Sequence, residues 1–170
     1  IKLIEKLDAG PIIAQKEYSI KKNENKDELL KKLNNLGCEL LIQILPKLFL
    51  GKINLKDQNE QKTTYARKIN TKDRKINFNT TASKIIYKIR AYSIKPGAWF
   101  TYKNERIKII SAIKKNSSGK PGTIINKNFE LACLDGSILP INLQREGKNI
   151  VHINDFLRGF KFSIGDNVNE

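Results

Sequence analysis

Carboxylates are the residue type most suited to proton transfer in the first part of this chain, and one of the nine there, Asp8, is set in the turn Leu7-Asp8-Ala9-Gly10-Pro11, followed by Ile12 and Ile13. Such a group can orient a base or carry a proton, but it cannot donate the hydrogen bonds that a developing oxyanion needs. Alone it reads as a solvated turn aspartate. The only histidine, His152, falls in a polar segment after the last strand-like run and reads as a surface residue. Cys38 and Cys133 form no C-x-x-C pair and have no histidine nearby, so they read as buried thiols rather than a disulfide or a metal site. Gly119-Lys120-Pro121-Gly122-Thr123 lacks the spacing of a phosphate loop and reads as a hairpin turn.

Cations are the other chemistry on offer. The net charge is +15, with 32 lysines and arginines against 17 acidic residues. Residues 1–60 hold 11 basic and 9 acidic side chains, whereas residues 61–165 hold 21 and 6. A drift toward lysine codons would spread charge evenly; this distribution instead points to a basic surface on the second segment and to a polyanionic partner. The candidates for phosphate contact are Arg67, Lys68, Lys72, Arg74 and Lys75 in a polar stretch, and Lys88, Arg90, Lys95, Arg106 and Lys108 beyond it. Tyr65, Tyr92, Trp99 and Phe100 read as core rather than as stacking platforms.

These residues need elements to position them. After the Leu7–Pro11 turn, residues 11–20 read as a strand. Asn25 is a candidate N-cap with Glu28 three residues on. Leu29, Leu30, Leu33, Leu36, Leu40, Leu41, Ile44, Leu45 and Leu48 then form a helical stripe, core-facing by default, with Gly37 a candidate break and Gly51 the stop. Residues 52–79 are polar and weakly periodic. Thr80 or Thr81 can cap a second helix that runs to about Tyr92, closed by Pro96-Gly97. Five short strands follow, over 98–102, 106–113, 122–126, 129–134 and 137–143. Lys103-Asn104 and Asp135-Gly136 punctuate them as turns, and Asn154 to Arg158 makes a short helical turn ended by Gly159. Five such strands in so short a span predict a small OB-like barrel. No run is long and apolar enough for a membrane helix, and the chain reads as soluble and cytoplasmic, with no membrane partner.

The turn Leu7-Asp8-Ala9-Gly10-Pro11-Ile12-Ile13 resembles a loop of the folate-dependent formyltransferases. The likeness continues in order through Thr64-Tyr65-Ala66-Arg67-Lys68-Ile69, Ile89-Arg90-Ala91-Tyr92, Pro96-Gly97-Ala98-Trp99, Pro121-Gly122-Thr123-Ile124 and Asp155-Phe156-Leu157-Arg158-Gly159. Together these resemble the C-terminal half of the methionyl-tRNA formyltransferase family.

The resemblance implies an α/β plus β chain: the C-terminal remnant of a Rossmann-like formyltransferase domain (1–60), a linker (61–79) and an OB-like β-barrel domain that binds tRNA (80–170). It implies transfer of a formyl group from 10-formyltetrahydrofolate to the amine of initiator methionyl-tRNA. Asp8 stands at the position of the family's catalytic aspartate, and Leu7, Gly10 and Pro11 belong to the same loop. The family's catalytic Asn and His match nothing here. Methionine is absent from the sequence, so the chain reads as a fragment, inactive alone, whose N-terminal half is a candidate separate product. No metal is implied. A non-catalytic OB-type RNA-binding module, or a formyltransferase with another acceptor, are the competing readings.

Overall fold

The computed structural model describes residues 1–168 and resolves into two compact units: residues 1–24 with 28–68, and residues 25–27 with the chain from Ile69 on. In the first unit the opening residues fold back on themselves, Lys2 N–H donating to Pro11 O at 2.9 Å. The strand expected over 11–20 is reduced to one antiparallel bridge between Ile12 and Lys56, closed by hydrogen bonds of 2.7 and 3.0 Å; no longer ladder extends it. Helix α1, Lys26–Phe49, begins where Asn25 Oδ1 accepts from Asp27 N–H at 2.9 Å. It runs unbroken through Gly37 and Pro46, then ends in a Schellman turn. There Lys52 N–H reaches Lys47 O, Gly51 N–H reaches Leu48 O, and Gly51 takes a φ of +65° that a β-carbon would strain. The leucine stripe, expected to face a core, does not find one: no residue of α1 is buried, and Leu30, Leu33, Leu41 and Ile42 are exposed. The first unit simply lacks enough apolar partners to cover it.

The second unit has a dense core. Helix α2, Ala82–Tyr92, is capped by Thr81, whose hydroxyl accepts from Lys84 N–H. Its Ala82, Ile85 and Ile89 face inward at the three- and four-residue spacing the sequence shows. The sheet comprises β1 (Ala98–Tyr102), β2 (Glu105–Lys115), β3 (Leu131–Ala132), β4 (Ser137–Arg145) and β5 (Ile150–His152), all pairs antiparallel. Lys103-Asn104 makes a two-residue hairpin with both φ positive, the backbone such loops require. β4 carries β2 along its length, and β3 and β5 at its two ends. Helix α3, Ile153–Gly159, closes the unit with Phe156 buried.

The OB-like barrel expected from the five short strands is not what forms: this sheet is open. Strand order is β1-β2-β4-β3 with β5 beside β4, and β1 and β3 do not pair. The segment 122–126, expected as a strand, forms only two isolated bridges, Thr123 to Asn167 and Ile124 to Leu131. Gly122 at φ +84° and Phe129 at φ +61° bend the chain out of the extended region on either side. Phe129 is fully buried at the hub of an aromatic cluster, its ring within 6.5 Å of those of Phe100, Tyr102, Phe156, Phe160 and Phe162. The polar stretch read as linker also supplies core: Ile76 and Phe78 are 1% and 0% exposed, and Ile76 N–H donates to Trp99 O at 2.7 Å.

Candidate functional site

The aspartate turn lies in the first unit. Asp8 is exposed at φ +53°, a left-handed conformation that Asp tolerates better than most side chains. The turn is held by its backbone: Gln58 Nε2 donates to Asp8 O at 2.8 Å and to Gly10 O at 2.7 Å. Gly10 is buried so closely that a β-carbon would stand 1.8 Å from Lys2 O. Pro11 is half-buried and Leu7 is 88% exposed. The Asp8 carboxylate makes no hydrogen bond or ion pair among the described residues, so it is presented to solvent by a fixed turn and is chemically uncommitted. Gln58, the neighbouring side-chain amide, already donates to the turn's own carbonyls.

The cations of the second unit divide into two groups. Lys72 and Arg74 lie in a 3-10 turn, Lys72–Arg74, and Lys75 follows it. A parallel bridge joins Lys75 to Trp99 on β1; Trp99 is opposite Lys108 on β2, and Arg106 is its diagonal neighbour. Arg106 therefore lies over the indole with its guanidinium carbon 4.4 Å from the ring centre, and Lys75 Nζ is 5.8 Å from it. The indole N–H is used inward, donating to Thr71 O at 3.1 Å. Arg74 Nη1 donates to Pro96 O at 3.0 Å, and Lys108 Nζ to Gln144 Oε1 at 3.2 Å. Lys88 Nζ reaches from α2 to Asp73 O and Lys75 O at 3.0 and 2.9 Å. A recess of about 310 Å³ is lined by Arg74, Arg106, Lys108, Gln144, Arg145, Glu146 and Gly147. Six predicted cations, Lys72, Arg74, Lys75, Lys88, Arg106 and Lys108, thus belong to one connected basic face.

The other four predicted cations lie on other segments or, in Arg90, on another side of α2. Arg90 stacks near Tyr87 at 5.9 Å, two positions and so roughly 200° round the helix from Lys88. Lys95 is exposed in the turn after α2, while Arg67 and Lys68 are exposed in the first unit. Sequence reasoning passed over Arg145 and its partner Glu105, which meet in a two-pronged ion pair at 2.7 and 2.8 Å. The Trp99 stack was missed as well, the indole being 9% exposed and yet a platform for a cation. Hairpin register was the usable signal, since it sets Lys108 and Arg106 beside Trp99.

His152 caps α3, its Nδ1 accepting from Asn154 N–H at 3.3 Å. Cys133 is buried, which pushes its thiol up to about 12, whereas Cys38 is exposed, contrary to the expectation for both thiols. A second recess, lined by Tyr102, Lys103, Asn104, Asp166 and Asn167, is internally neutralised: the Tyr102 hydroxyl donates to Asp166, and Lys103 Nζ lies 3.4 Å from that carboxylate. Burial and then Asp166 hold the Tyr102 phenol above its ordinary value, while the Tyr102 hydroxyl lowers Asp166.

The second unit thus joins an open antiparallel sheet, a flanking helix and a basic face. Residues 68–161 match the formyl transferase C-terminal domain, and the chain belongs to that family. Methionyl-tRNA formyltransferases are its curated relatives: that of Rickettsia bellii is 38% identical over 160 residues, 93% of this chain and 52% of the relative. That of Pelagibacter ubique is 35% identical over 169 residues, 99% of this chain and 54% of the relative. The chain therefore spans about half the length of the curated relatives it matches. Among solved structures, HypX from Aquifex aeolicus in complex with tetrahydrofolic acid matches 95% of this chain and 32% of its own, with a TM-score of 0.70 at 16% identity. An N-formyltransferase from Helicobacter canadensis matches 81% and 51%, with a TM-score of 0.61 at 24% identity. Both likenesses concern the fold. Among the described residues no helix is long and apolar enough to cross a membrane.

Proposed function

We propose that this chain is the RNA-gripping half of a cytoplasmic methionyl-tRNA formyltransferase, which moves a formyl group from 10-formyltetrahydrofolate to the amine of initiator methionyl-tRNA. The observation that carries the reading is the family match over residues 68–161, coinciding with the unit that bears the basic face. In this reading residues 1–60 end the formyltransferase domain, 61–79 connect, and 80–170 form the tRNA-binding domain. The methionyl-tRNA formyltransferase names of the curated relatives, and the excess of positive charge beyond residue 60, favour tRNA over other acceptors and over a stand-alone RNA-binding module.

The folate contributes the formyl group when bound. In this reading Leu7, Asp8, Gly10 and Pro11 belong to the loop that would face the folate; Gln58 holds the turn through its carbonyls and leaves the Asp8 carboxylate uncommitted. Asp8 orients a neighbouring base and receives or passes a proton as the attacking ammonium becomes an amine. It offers no donor to an oxyanion, and the nearby Gln58 amide is committed to the turn. We therefore expect no formyl transfer from this chain alone; Asn and His donors come from an N-terminal half, as a separate product or otherwise.

Labelled formyl transfer to methionyl-tRNA tests this. The chain should be silent by itself and active when co-expressed with the residues its relatives carry upstream, and Asp8→Ala should abolish that activity. Turnover by the isolated chain, or a fully active Asp8→Ala pair, would overturn the proposal.

A further inference from the structure

We propose that Arg106, held over the Trp99 ring, is the phosphate-receiving fork of the basic recess and that it seats a phosphodiester of the RNA backbone. The inference deepens the tRNA reading and rests on it. Its basis is how unequally the recess cations are engaged. Arg74 is tied to backbone carbonyls, Lys108 to Gln144, and Arg145 by two nitrogens to Glu105. The Arg106 guanidinium has no hydrogen-bond partner among the described residues, yet it lies over the indole, 4.4 Å from the ring centre. Stacking orients a guanidinium without consuming its N–H donors, so the fork remains available to an anion at little further entropic cost.

The surroundings favour a phosphate. Arg74, Lys108 and Arg145 line the same recess with Arg106, against one lining carboxylate, Glu146, so the positive charges outnumber the negative; Gln144 and Gly147 add neutral polar lining. Glu105 offsets Arg145 and leaves its Nη1 without a partner, which makes Glu105 a positioning residue rather than a contact. Trp99 positions Arg106 in the same sense. A recess of about 310 Å³ admits a phosphodiester group, not a nucleobase stacked on the indole, because Arg106 already covers that face. The contact is blind to sequence, as phosphate contacts are.

Trp99 is the only tryptophan in the chain, so its emission reports locally on Arg106. The whole chain is titrated at low salt with a fluorescein-labelled tRNA acceptor-stem duplex, following anisotropy for affinity and indole emission for the site, and separately with inorganic phosphate. RNA should shift the indole emission in step with anisotropy. Arg106→Lys, which keeps the charge but loses the planar fork, should weaken binding roughly tenfold. Glu105→Gln, which frees Arg145, should change affinity and move the indole signal, while Lys127→Gln, a charge lost outside the recess, should do neither. If Arg106→Lys binds like the parent, or Lys127→Gln weakens binding as much, the cations act only as a diffuse field and the seat is refuted while the tRNA reading stands. Saturation of the indole signal by inorganic phosphate that RNA cannot displace assigns the recess to a free anion and also refutes it. Failure of the folded parent to bind RNA removes both.

Discussion

Single residues in this chain carry distinct and separable energies. Gly10 has no room for a methyl group: a β-carbon there would stand 1.8 Å from a backbone oxygen that cannot swing aside. Gly10→Ala should cost about 1–3 kcal/mol and loosen the aspartate turn, read as lost protection of Lys2 N–H in hydrogen exchange. Glu24 is 6% exposed and accepts from Lys32 Nζ at 2.6 Å, from Tyr18 hydroxyl at 3.0 Å and from Lys21 N–H at 3.1 Å. The Lys32 hydrogen bond, chiefly, lowers its carboxyl from 4.5 to about 2 against the opposing effect of burial. A depressed carboxylate stabilises the fold above its unfolded value and loses that contribution as pH falls. Acid should therefore weaken the first unit between pH 4.5 and about 2. Carbon-detected NMR titration of Glu24 checks this directly, and a midpoint near the ordinary value would contradict it. Glu130 is different in kind. Burial opposes its charge, but hydrogen bonds from Ser137, Ser117 and Asn126 prevail and keep it below the usual carboxylate range. That carboxylate is internally satisfied and has nothing left to offer a ligand.

At the scale of elements, Asp135 links two features that sequence reading kept apart. Asp135-Gly136 is legible as a turn, but the Asp135 carboxylate also accepts from Ala82 N–H at 2.7 Å and so caps α2 beside Thr81. Asp135→Ala should cost about 1 kcal/mol, seen as a lower thermal midpoint with unchanged sheet signals. Phe129→Ala should cost about 3–5 kcal/mol, because it empties the middle of the aromatic cluster. Helix α1, the two hairpin turns and the apolar faces of α2 were legible because each is written in local spacing. Three things were not. Ile76 and Phe78 sit in a polar stretch with one alternation, too little for a periodic signal, and reach the core only through the bridge of Lys75 to Trp99. β5 has three residues and is recruited by β4 rather than by its own propensity. The barrel failed because 122–126 has strand-like residues but single bridges to two different partners. At the site, the types of the cations could be read from the sequence, but which six converge depended on tertiary pairing. The helix α1 carries a further consequence. Its uncovered leucines are the kind of apolar surface that a partner buries, and on the proposed reading an N-terminal half would be that partner. Co-expression with that half should slow amide exchange along α1; unchanged exchange in an active complex would mean the helix docks elsewhere.

For the molecule as a whole, the question is whether a net charge of +15 acts as a general attraction or as an organised grip. General attraction scales with every exposed lysine and makes each charge interchangeable. An organised grip releases counterions at particular phosphates, so log affinity falls with log salt at a slope set by the number of contacts. The basic face places Lys72, Arg74, Lys75, Lys88, Arg106 and Lys108 together in the second unit, and Arg90 lies roughly 200° round α2 from Lys88. If this face is the grip, tRNA binding should fall steeply between low and moderate salt, and Arg106→Gln should make the slope shallower by about one contact. Arg90→Gln, which removes the same charge from the far side of α2, should lower affinity little and leave the slope unchanged. Fluorescence anisotropy across a salt series measures both. Equal slopes for the two variants, with equal losses of affinity, would show that position does not matter. The charge would then be a field spread over the surface, and the pairing of β1 with β2 that brings Arg106 onto Trp99 would have no bearing on RNA.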